Sequence, residues 1–315
     1  MKLAIWGGGY AGLSAAVHAL DRGFSVCVYE PGYSHSGSLA STGFLHPYTG
    51  KFPVKPPDAD CWMQATEELL ERVERGSLYP FRRRRGLFRP ALFPAQEKHF
   101  VKMARKYAGI TFWSREEANK NIPGIKTAGL YLHQGQQIDS AGYLKALKYY
   151  LEKRGVSFFS SAPEPSLQEY DRMILAKGAW TREFALPCRL VKGQTLLFTS
   201  SSFSLHCPLI GHPHISRGPL PQQWVVGATY EKEYASPCPD ESSDQLLQAL
   251  SYITLPEDLQ IIDRKAGVRL CREGGQGPIV KRVQKRVWVF TALGSKGLLW
   301  HAYFGRQLIE EIAAS

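Results

Sequence analysis

The 315-residue sequence lacks several features that mark other classes of protein. It has no run of about 18 uncharged apolar residues, so no membrane-spanning helix is predicted. A glycine motif begins almost at the first residue, which leaves no room for a signal peptide and predicts a cytoplasmic protein. There is no Cys-x-x-Cys pair, so neither a tetrahedral zinc site nor a disulfide framework is expected. Six scattered cysteines are predicted to be reduced: Cys27, Cys61, Cys188, Cys207, Cys238 and Cys271.

Acidic residues are scarce relative to basic ones. The chain has 28 Asp and Glu against 39 Lys and Arg, a formal net charge of +11. Such an excess attracts polyanions and speeds their encounter with the protein. Many basic proteins nevertheless bind only small anions. The charge alone therefore leaves two classes of partner open, namely a nucleic acid or nucleotide-linked substrate and a small anion.

What the sequence does contain is a nucleotide-binding unit at its start. An apolar strand runs into Gly-x-Gly-x-x-Gly, an amphipathic helix follows, and a second apolar strand ends in an acid. Gly7 permits the tight turn, Gly9 lets the backbone approach a pyrophosphate, and Gly12 lets helix and strand pack closely. The helix N-terminus offers N–H groups to the anion, and Glu30 is placed to accept hydrogen bonds from an adenosine ribose. The alternative is a glycine-rich turn in another kind of α/β unit.

A polar, glycine-rich loop follows this unit over residues 31–50. Loops at the carboxyl ends of a doubly wound sheet are a usual ligand site. Small residues let a flat cofactor lie close to the backbone, and the hydroxyl groups of Ser38, Ser41 and Thr42 can donate to phosphate or ring oxygens. The alternative is a flexible surface loop.

Hydrophobic periodicity predicts most of the other elements. Helices are predicted over residues 59–76, 95–107, 140–154, 240–253 and 297–312. Ser114 and Glu117 form a capping-box pattern that opens one more short helix. Residues 127–139 are expected to form a strand, a turn and a second strand. Single strands are predicted at residues 155–159, 171–176, 194–198, 206–211, 223–230 and 287–291.

Four adjacent arginines, at positions 82–85, fall in a segment that is expected to be an exposed strand. Alternation would place Arg82 and Arg84 on one face, and Arg83 and Arg85 on the other. Such a row of guanidinium groups can hold phosphates. The alternative is a solvated edge strand that its charge protects from aggregation.

Four later segments carry a resemblance to a flavoprotein family. Residues 176–180 are similar to an Ala-x-Gly-x-Trp flavin contact, and residues 192–194 to the Lys-Gly-Gln turn that follows it. Gly267-Val-Arg269 resembles a Gly-x-Arg-Pro segment, with Leu270 in place of the proline. Residues 294–297, Gly-Ser-Lys-Gly, resemble a last glycine turn under the flavin.

Together with the N-terminal unit, these segments resemble the D-amino-acid-oxidase superfamily of FAD-dependent oxidoreductases over nearly the whole chain. The sequence looks most similar to glycine/sarcosine-type oxidases and to the oxidase half of the bifunctional tRNA methylaminomethyl-uridine biosynthesis enzyme. Residues 227–231 and 294–299 carry the second likeness. An Asp-Gly pair expected after the arginine segment is replaced by Glu273-Gly-Gly, which departs from the family pattern.

The resemblance implies an α/β fold in which a Rossmann-type FAD-binding domain is interleaved with an antiparallel-sheet substrate domain. Residues 1–50, 135–190 and 262–315 would form the first domain, and residues 51–134 and 191–261 the second. FAD is the implied cofactor, and no metal is expected. The residues implied to bind FAD are Gly7, Gly9, Gly12, Glu30, Ser38, Ser41, Thr42, Gly43, Ala176, Gly178, Trp180, Gly294, Ser295 and Gly297.

The reaction implied is oxidation of a C–N bond beside a carboxylate, by hydride transfer from the amine to flavin, which leaves an imine for water to hydrolyse. Arg269 is expected to bind the substrate carboxylate, because a guanidinium pairs bidentately with it and stays charged. Lys296 is expected near the flavin, and His46 is expected to contact the ring or the substrate. For each of these three side chains the alternative is a structural one without a part in catalysis.

One relative suggests a substrate carried by tRNA, carboxymethylaminomethyl-uridine, from which the enzyme would release glyoxylate. The charge of +11 and the four arginines would then serve the RNA. Three alternatives stay open: an oxidase of free amines such as glycine, sarcosine or a D-amino acid, a non-catalytic flavin-binding module, and an NAD-dependent dehydrogenase.

Overall fold

The computed structural model describes residues 1–32, 35–160, 164–181, 184–275 and 277–315, with the backbone alone at Arg84. Its helices are α1 (Tyr10–Asp21), α2 (Ala59–Arg75), α3 (Pro94–Lys106), α4 (Arg115–Asn121), α5 (Ser140–Glu152), α6 (Gln245–Gln248) and α7 (Gly297–Ala314). Its strands are β1 (Lys2–Trp6), β2 (Ser25–Tyr29), β3 (Phe44–Leu45), β4 (Arg82–Pro90), β5 (Ile110–Trp113), β6 (Gly129–Ile138), β7 (Ser157–Phe159), β8 (Arg172–Leu175), β9 (Cys188–Thr199), β10 (His214–Arg217), β11 (Gln223–Gly227), β12 (Gln260–Arg272), β13 (Ile279–Gln284) and β14 (Val287–Thr291). Among the described residues, no helix is both long enough and apolar enough to cross a membrane.

A six-stranded sheet in the order β13-β14-β8-β1-β2-β7 forms the first layer. All of its pairings are parallel except β13 with β14, which is an antiparallel hairpin. Parallel strands need crossover connections, and buried parallel strands are nearly continuous apolar runs, as in β1 and β14. This sheet confirms the predicted Rossmann-type unit, and it draws its strands from both ends of the chain.

Helices from the two ends of the chain pack together over the sheet. The Ser14 hydroxyl of α1 donates to the carbonyl of His301 in α7 at 2.8 Å, and the Tyr143 hydroxyl of α5 lies 2.9 Å from the His301 ring. These three helices share one large apolar core with α2. The C-terminal helix is therefore held against the N-terminal glycine motif.

Two antiparallel sheets form the remainder of the α/β fold. One has the order β10-β11-β9-β12, and the other has the order β3-β6-β4, with β5 also paired to β6. The long β9–β12 ladder runs from Gln260 opposite Thr199 to Arg272 opposite Cys188. Strand β12, at the edge of its sheet, also contacts the segment 294–296, which follows β14 of the parallel sheet.

Most of the predicted helices are confirmed with ends shifted by a few residues. The capping box also forms as predicted, because the Glu117 side chain accepts from the Ser114 backbone at 2.7 Å and the Ser114 hydroxyl accepts from the Glu117 backbone at 3.2 Å. The helix predicted at 240–253 is wrong beyond residue 248. Asp240 accepts from the Ser242 backbone and bonds Lys192, and the chain then forms a short 3₁₀ turn followed by the single turn of α6.

Two strand predictions are also wrong. Residues 127–139 form the continuous strand β6 rather than a hairpin, because Gly135 is where the Leu87 side chain of β4 crosses: a Cβ there would lie 2.7 Å from it. Glycine in this case marks a close strand approach instead of a turn. Residues 206–211 form no strand, and the regular pairing begins at His214, after the His212–Pro213 bond, which is cis.

Candidate active site at the carboxyl ends of four parallel strands

A cavity of about 620 Å³ lies at the carboxyl ends of β1, β2, β8 and β14. Of the seventeen residues singled out from the sequence, all but Gly12 and Gly43 line it. Segments separated by up to 290 positions in the chain therefore meet around one space, as expected for ligand sites of doubly wound sheets. The Gly43 backbone instead joins the loop to β6, with its carbonyl accepting from the Ile138 N–H at 2.8 Å.

The glycine motif forms one wall and brings two backbones into contact. Gly7 has φ +127°, and a Cβ there would lie 2.2 Å from the carbonyl oxygen of Ala176. A Cβ on Gly12 would lie 1.8 Å from the carbonyl oxygen of Gly7. Helix α1 then begins at Gly9, which has no side chain to cap it. The N–H groups of its first turn are left to an anion, with the Ser38 hydroxyl 3.3 Å from the Tyr10 nitrogen as a neighbour.

Glu30 lies at the end of β2 and lines the cavity, where its carboxylate is 3.2 Å from the ammonium group of Lys148. Lys148, from α5, also lies 4.9 Å from the centroid of the Phe158 ring. Both members of the ion pair are partly exposed, so the bond stabilises the fold little. It does hold the carboxylate at the end of the cavity where the sequence predicts the adenosine ribose.

The cavity is also lined by the 3₁₀ turns Gly178–Trp180 and Gly294–Lys296. Ala176 and Ala292 lie beside them, so small residues again border the space. The donor set fits FAD: a helix N-terminus for the pyrophosphate, an acid for the ribose, loop hydroxyls, and small residues where a flat ring has to enter. The residues that would hold FAD are those of the glycine motif, Glu30, Ser38, Ser41, Thr42 and the two turns.

Arg269 comes from β12 and points its guanidinium into the same cavity. Its one hydrogen bond among the described residues is long, 3.4 Å to the Thr229 carbonyl, and it forms no ion pair with any of them. The Tyr230 ring lies 5.9 Å away, and burial lowers the pKa of Arg269 from its ordinary value. A partly buried guanidinium with most of its N–H groups unmatched is a receptor for a carboxylate.

Lys296 and His46 form a second polar pair on the cavity wall. The Lys296 ammonium lies 3.3 Å from His46 Nε2 and donates to the Tyr48 carbonyl at 3.2 Å. Burial, and then the charge of Arg89, lower the pKa of Lys296 to about 7. Burial, followed by the charges of Lys296 and Arg89, holds the pKa of His46 well below its usual range. The imidazole is therefore neutral, and Lys296 changes its charge close to neutral pH.

The family model described as "DAO: FAD dependent oxidoreductase" matches residues 2–311 of the chain. The protein belongs to this DAO family of FAD-dependent oxidoreductases. The family expected from the sequence is thereby confirmed, and FAD is the cofactor on which the family depends.

Solved structures show the same fold along the whole length of this DAO-family member. Glycine oxidase from Bacillus cereus ATCC 14579 is 16% identical, with a TM-score of 0.85 over 99% of this chain and 95% of that one. Iminodiacetate oxidase from Chelativorans sp. BNC1 is 18% identical, with a TM-score of 0.83 over 99% and 95%. L-proline dehydrogenase from P. horikoshii is 15% identical, with a TM-score of 0.82 over 99% and 93%. Among curated proteins, no sequence matches.

The DAO-family site includes two histidines that the sequence does not single out, His212 and His214. His214 comes from β10 and lines the cavity, with its ring edge-on to Phe44 at 5.1 Å between centroids. Burial, followed by the charge of Arg269, lowers the pKa of His214 to about 3. Its Nε2 atom is buried without a hydrogen-bond partner among the described residues. No spacing in the sequence marks this residue, because the strand on which it lies was not predicted there.

The four arginines at positions 82–85 do lie on an edge strand, but the three whose side chains are described form ion pairs within the protein. Arg82 bonds Glu67 at 2.6 Å and Glu74 at 2.9 Å. Arg83 bonds Asp139 at 2.6 Å, and Arg85 lies 3.2 Å from Glu67. The Arg84 side chain lies outside the described residues. These ion pairs join β4 to α2 and to the start of α5, which favours the structural interpretation over phosphate binding.

The described residues offer no group of three or more His, Cys, Asp or Glu side chains arranged to hold a metal ion. The six cysteines are free thiols, and Cys271, beside Gly294, is partly buried. Burial raises the pKa of the Cys271 thiol, which keeps it protonated and unreactive at neutral pH.

Proposed function

We propose that this DAO-family oxidoreductase oxidises the C–N bond of a glycine-type amine to an imine. The observation that carries the proposal is the position of Arg269, whose partly buried guanidinium has no ion-pair partner among the described residues. It borders the same cavity as the turns Gly178–Trp180 and Gly294–Lys296. A substrate with a carboxylate next to its amine would match this arrangement.

Arg269 would bind the substrate carboxylate and fix the orientation of the adjacent carbon. A charge-assisted, bidentate pair is short and directional, so it positions as well as binds. Its burial excludes water from the pair and strengthens the attraction. The ring of Tyr230, on the same side of the guanidinium, limits the space beside it.

The amine has to lose its proton before the neighbouring carbon can give up a hydride. Lys296, with its pKa lowered to about 7, is neutral above that pH and can accept this proton. His46 Nε2 accepts a hydrogen bond from the protonated form, which holds Lys296 in place. The hydride acceptor would be supplied by FAD, held by the glycine motif, Glu30 and the two turns. Water then hydrolyses the imine, and an amine and glyoxylate leave from a glycine-type substrate.

The names of two solved structures of the same fold, glycine oxidase and iminodiacetate oxidase, agree with this chemistry. At 16% and 18% identity they support the fold, and the argument for the substrate rests on Arg269.

The test is product analysis with purified flavoprotein and a panel of amines. Glycine, sarcosine and iminodiacetate are expected to give glyoxylate, whereas methylamine and dimethylamine, which lack the carboxylate, are expected to give no product. Equal turnover of the amines with and without the carboxylate would contradict the proposal. No turnover of any amine, with no effect of Arg269→Ala on ligand binding, would instead support a non-catalytic flavin-binding module.

The specific substrate that we propose is carboxymethylaminomethyl-uridine in tRNA. This base carries a secondary amine attached to a glycine-like carboxymethyl group, so the same Arg269 site would take its carboxylate. The net charge of +11 suits an RNA partner, and such a substrate agrees with the cytoplasmic location predicted from the sequence.

Nucleoside analysis of tRNA treated with the enzyme tests this finer proposal. Loss of carboxymethylaminomethyl-uridine and gain of aminomethyl-uridine are expected. Unchanged tRNA together with rapid oxidation of free glycine or sarcosine would contradict it and identify a small-molecule amine oxidase.

A further inference from the structure

A second set of basic residues, unlike Arg82, Arg83 and Arg85 of β4, is largely free of acidic partners in the described part of the chain. We call it the α3 surface: Lys51, Lys55, Lys98, Lys102, Arg105 and Lys106. The last four are exposed and follow one face of α3, where Glu97 is the one exposed acid. Among the described residues, only Lys55 of this set forms an ion pair, with Asp60 at 2.6 Å. Five of the six charges are thus available to a partner.

Aromatic rings lie between these cations. The Lys51 ammonium lies 4.6 Å from the centroid of Phe93, and Lys55 and Lys106 lie 5.8 and 5.2 Å from that of Tyr107. The Phe52 ring is 43% exposed. Tyr107 and the two lysines beside it also line a separate cavity of about 290 Å³. Alternating cations and rings is the arrangement with which proteins bind single-stranded nucleic acid, because bases stack on the rings and phosphates pair with the cations.

The α3 surface is joined to residues around Lys296 by the segment 48–51. The Tyr48 ring packs edge-on to Tyr107 at 5.9 Å, while the Tyr48 carbonyl accepts the hydrogen bond from Lys296. Arg89, which lowers the pKa of Lys296, donates to the carbonyls of Gly50 and Lys51. The segment from residue 48 to 51 therefore lies between the catalytic lysine and the basic surface.

A further basic part of the molecule is the β13–β14 hairpin. Lys281 and Lys285 are exposed on the β13–β14 hairpin, and Arg286 at its turn is joined to the start of β8, where its carbonyl accepts from the Met173 N–H. That is the amino end of the parallel strands, at the edge opposite the cavity. Lys281 and Lys285 carry the same charge as Lys98 and Lys102 of the α3 surface. They therefore lie at the end of the parallel strands opposite the active-site cavity.

We propose that the α3 surface binds the single-stranded RNA loop that carries the substrate base. Phosphates would pair with Lys98, Lys102, Arg105 and Lys106, and bases would stack on Phe52 and Tyr107. The inference rests on the tRNA substrate proposed above and adds the place where the RNA docks. RNA is favoured over an anionic membrane because the exposed face of α3 itself is charged rather than apolar, and the exposed Phe52 ring lies next to Lys51 rather than in an apolar patch on α3.

The experiment compares two double variants of the flavin-loaded protein that change the net charge equally. Lys98→Glu with Lys102→Glu alters the α3 surface, and Lys281→Glu with Lys285→Glu alters the hairpin. Binding is measured by fluorescence anisotropy with a labelled RNA hairpin that has a single-stranded loop, a fully paired RNA duplex, and phosphatidylserine vesicles. Oxidation of free glycine or sarcosine is measured in parallel, and it is expected to be unchanged in both variants.

The α3 variant is expected to bind the looped hairpin at least roughly tenfold more weakly, with the salt dependence of log Kd reduced by about 1.4, as for two lost single-strand phosphate contacts. The hairpin variant is expected to differ from the wild type by less than about twofold. Phe52→Ala is expected to weaken binding of the looped RNA and leave duplex binding unchanged.

Equal losses in the two double variants would overturn the inference, because they would show an effect of net charge alone. Tighter binding of the duplex or of vesicles than of the looped RNA would also overturn it. Loss of RNA binding with amine oxidation intact separates this inference from the proposed chemistry, and absence of amine oxidation with intact RNA binding would contradict the chemistry instead.

Discussion

Two parts of the active-site lining, which we call the backbone end and the side-chain end, are built from different material. The end around the glycine motif is made largely of backbone: Gly7 touches Ala176, Gly12 touches Gly7, and α1 presents its N–H groups. The other end is made of side chains, Arg269, Lys296 and His214 among them, which come from separate strands and turns. Backbone contacts restrict the sequence to glycine at fixed spacing, whereas side chains that converge in space leave no fixed spacing. The first end is therefore visible in the sequence and the second is mostly hidden in it.

The largest expected effect is at the backbone end. Gly12→Val is expected to abolish FAD binding and destabilise the fold, because the new Cβ would lie 1.8 Å from the Gly7 carbonyl and neither backbone can yield. The bound flavin is measured from the ratio of absorbance at about 450 nm to that at 280 nm. Gly109→Ala is the control, since a Cβ there meets no atom within 4 Å. Flavin content close to that of the wild type in Gly12→Val would contradict the packing argument.

Arg269→Met is the corresponding change at the side-chain end. It is expected to lower kcat/KM for glycine-type amines by about 1,000-fold, because the substrate carboxylate would lose its partly buried charged partner. Flavin content is expected to stay unchanged, in contrast to the loss of flavin expected for Gly12→Val. Arg272→Met, an exposed position on the same strand, is the matched control and is expected to have no effect. A similar loss in both variants would show that Arg269 acts through the stability of β12.

Lys296→Met tests the proton acceptor. The pKa of Lys296 is lowered to about 7, so the neutral form predominates above that pH and kcat/KM is expected to fall as the pH drops below it. The variant is expected to lose this inflection and about 100-fold in rate at pH 8 to 9. The variant keeps Arg269, Arg89 and His46, so a lost inflection would be due to Lys296. A pH–rate profile that keeps its inflection near pH 7 would assign the ionisation to another group.

His214→Phe has the smallest expected effect. It is expected to make the protein more stable and less active. Removing the unpartnered Nε2 from a buried position is expected to raise the free energy of unfolding by about 1 kcal/mol. The same change is expected to lower kcat/KM about tenfold, as the substrate would lose a hydrogen-bond partner. Thermal unfolding and steady-state kinetics measure the two. His133→Phe, exposed and outside the cavity, is the control. Lower stability together with unchanged kinetics would make His214 a structural residue.

Much of the fold could be predicted from the sequence where the signal is local. The glycine motif, Glu30 at the end of β2 and the capping box at Ser114 lie where they were expected. The errors occur where tertiary contacts override local preference. Gly135 looks like a turn residue, but it is the crossing point of Leu87. Asp240 looks like the start of a long helix, but its carboxylate is bound by the buried Lys192 at 2.5 Å.

The site was predictable to a lesser degree. Arg269, Lys296 and His46 were found only through resemblance to a family, and in the structure all three line the same cavity. His214 was missed because its strand was not predicted, and Arg89 because it follows the arginine row without a signal of its own. Only the folded chain brings His214 to the cavity and Arg89 close to Lys296. The arginines at positions 82–85 show the same limit. Their row in the sequence left a phosphate site and a charged edge strand open, and the acids that pair with Arg82, Arg83 and Arg85 lie on other elements.

The most direct test of the account is anaerobic mixing of the purified flavoprotein with sarcosine or glycine, and separately with methylamine, while the absorbance at about 450 nm is followed. Bleaching by the carboxylate-bearing amines, none by methylamine, and loss of the bleaching in Arg269→Met with its flavin retained are the expected results. Equal bleaching by methylamine, or undiminished bleaching in Arg269→Met, would contradict the claim that the side-chain end of the cavity selects a glycine-type amine through Arg269.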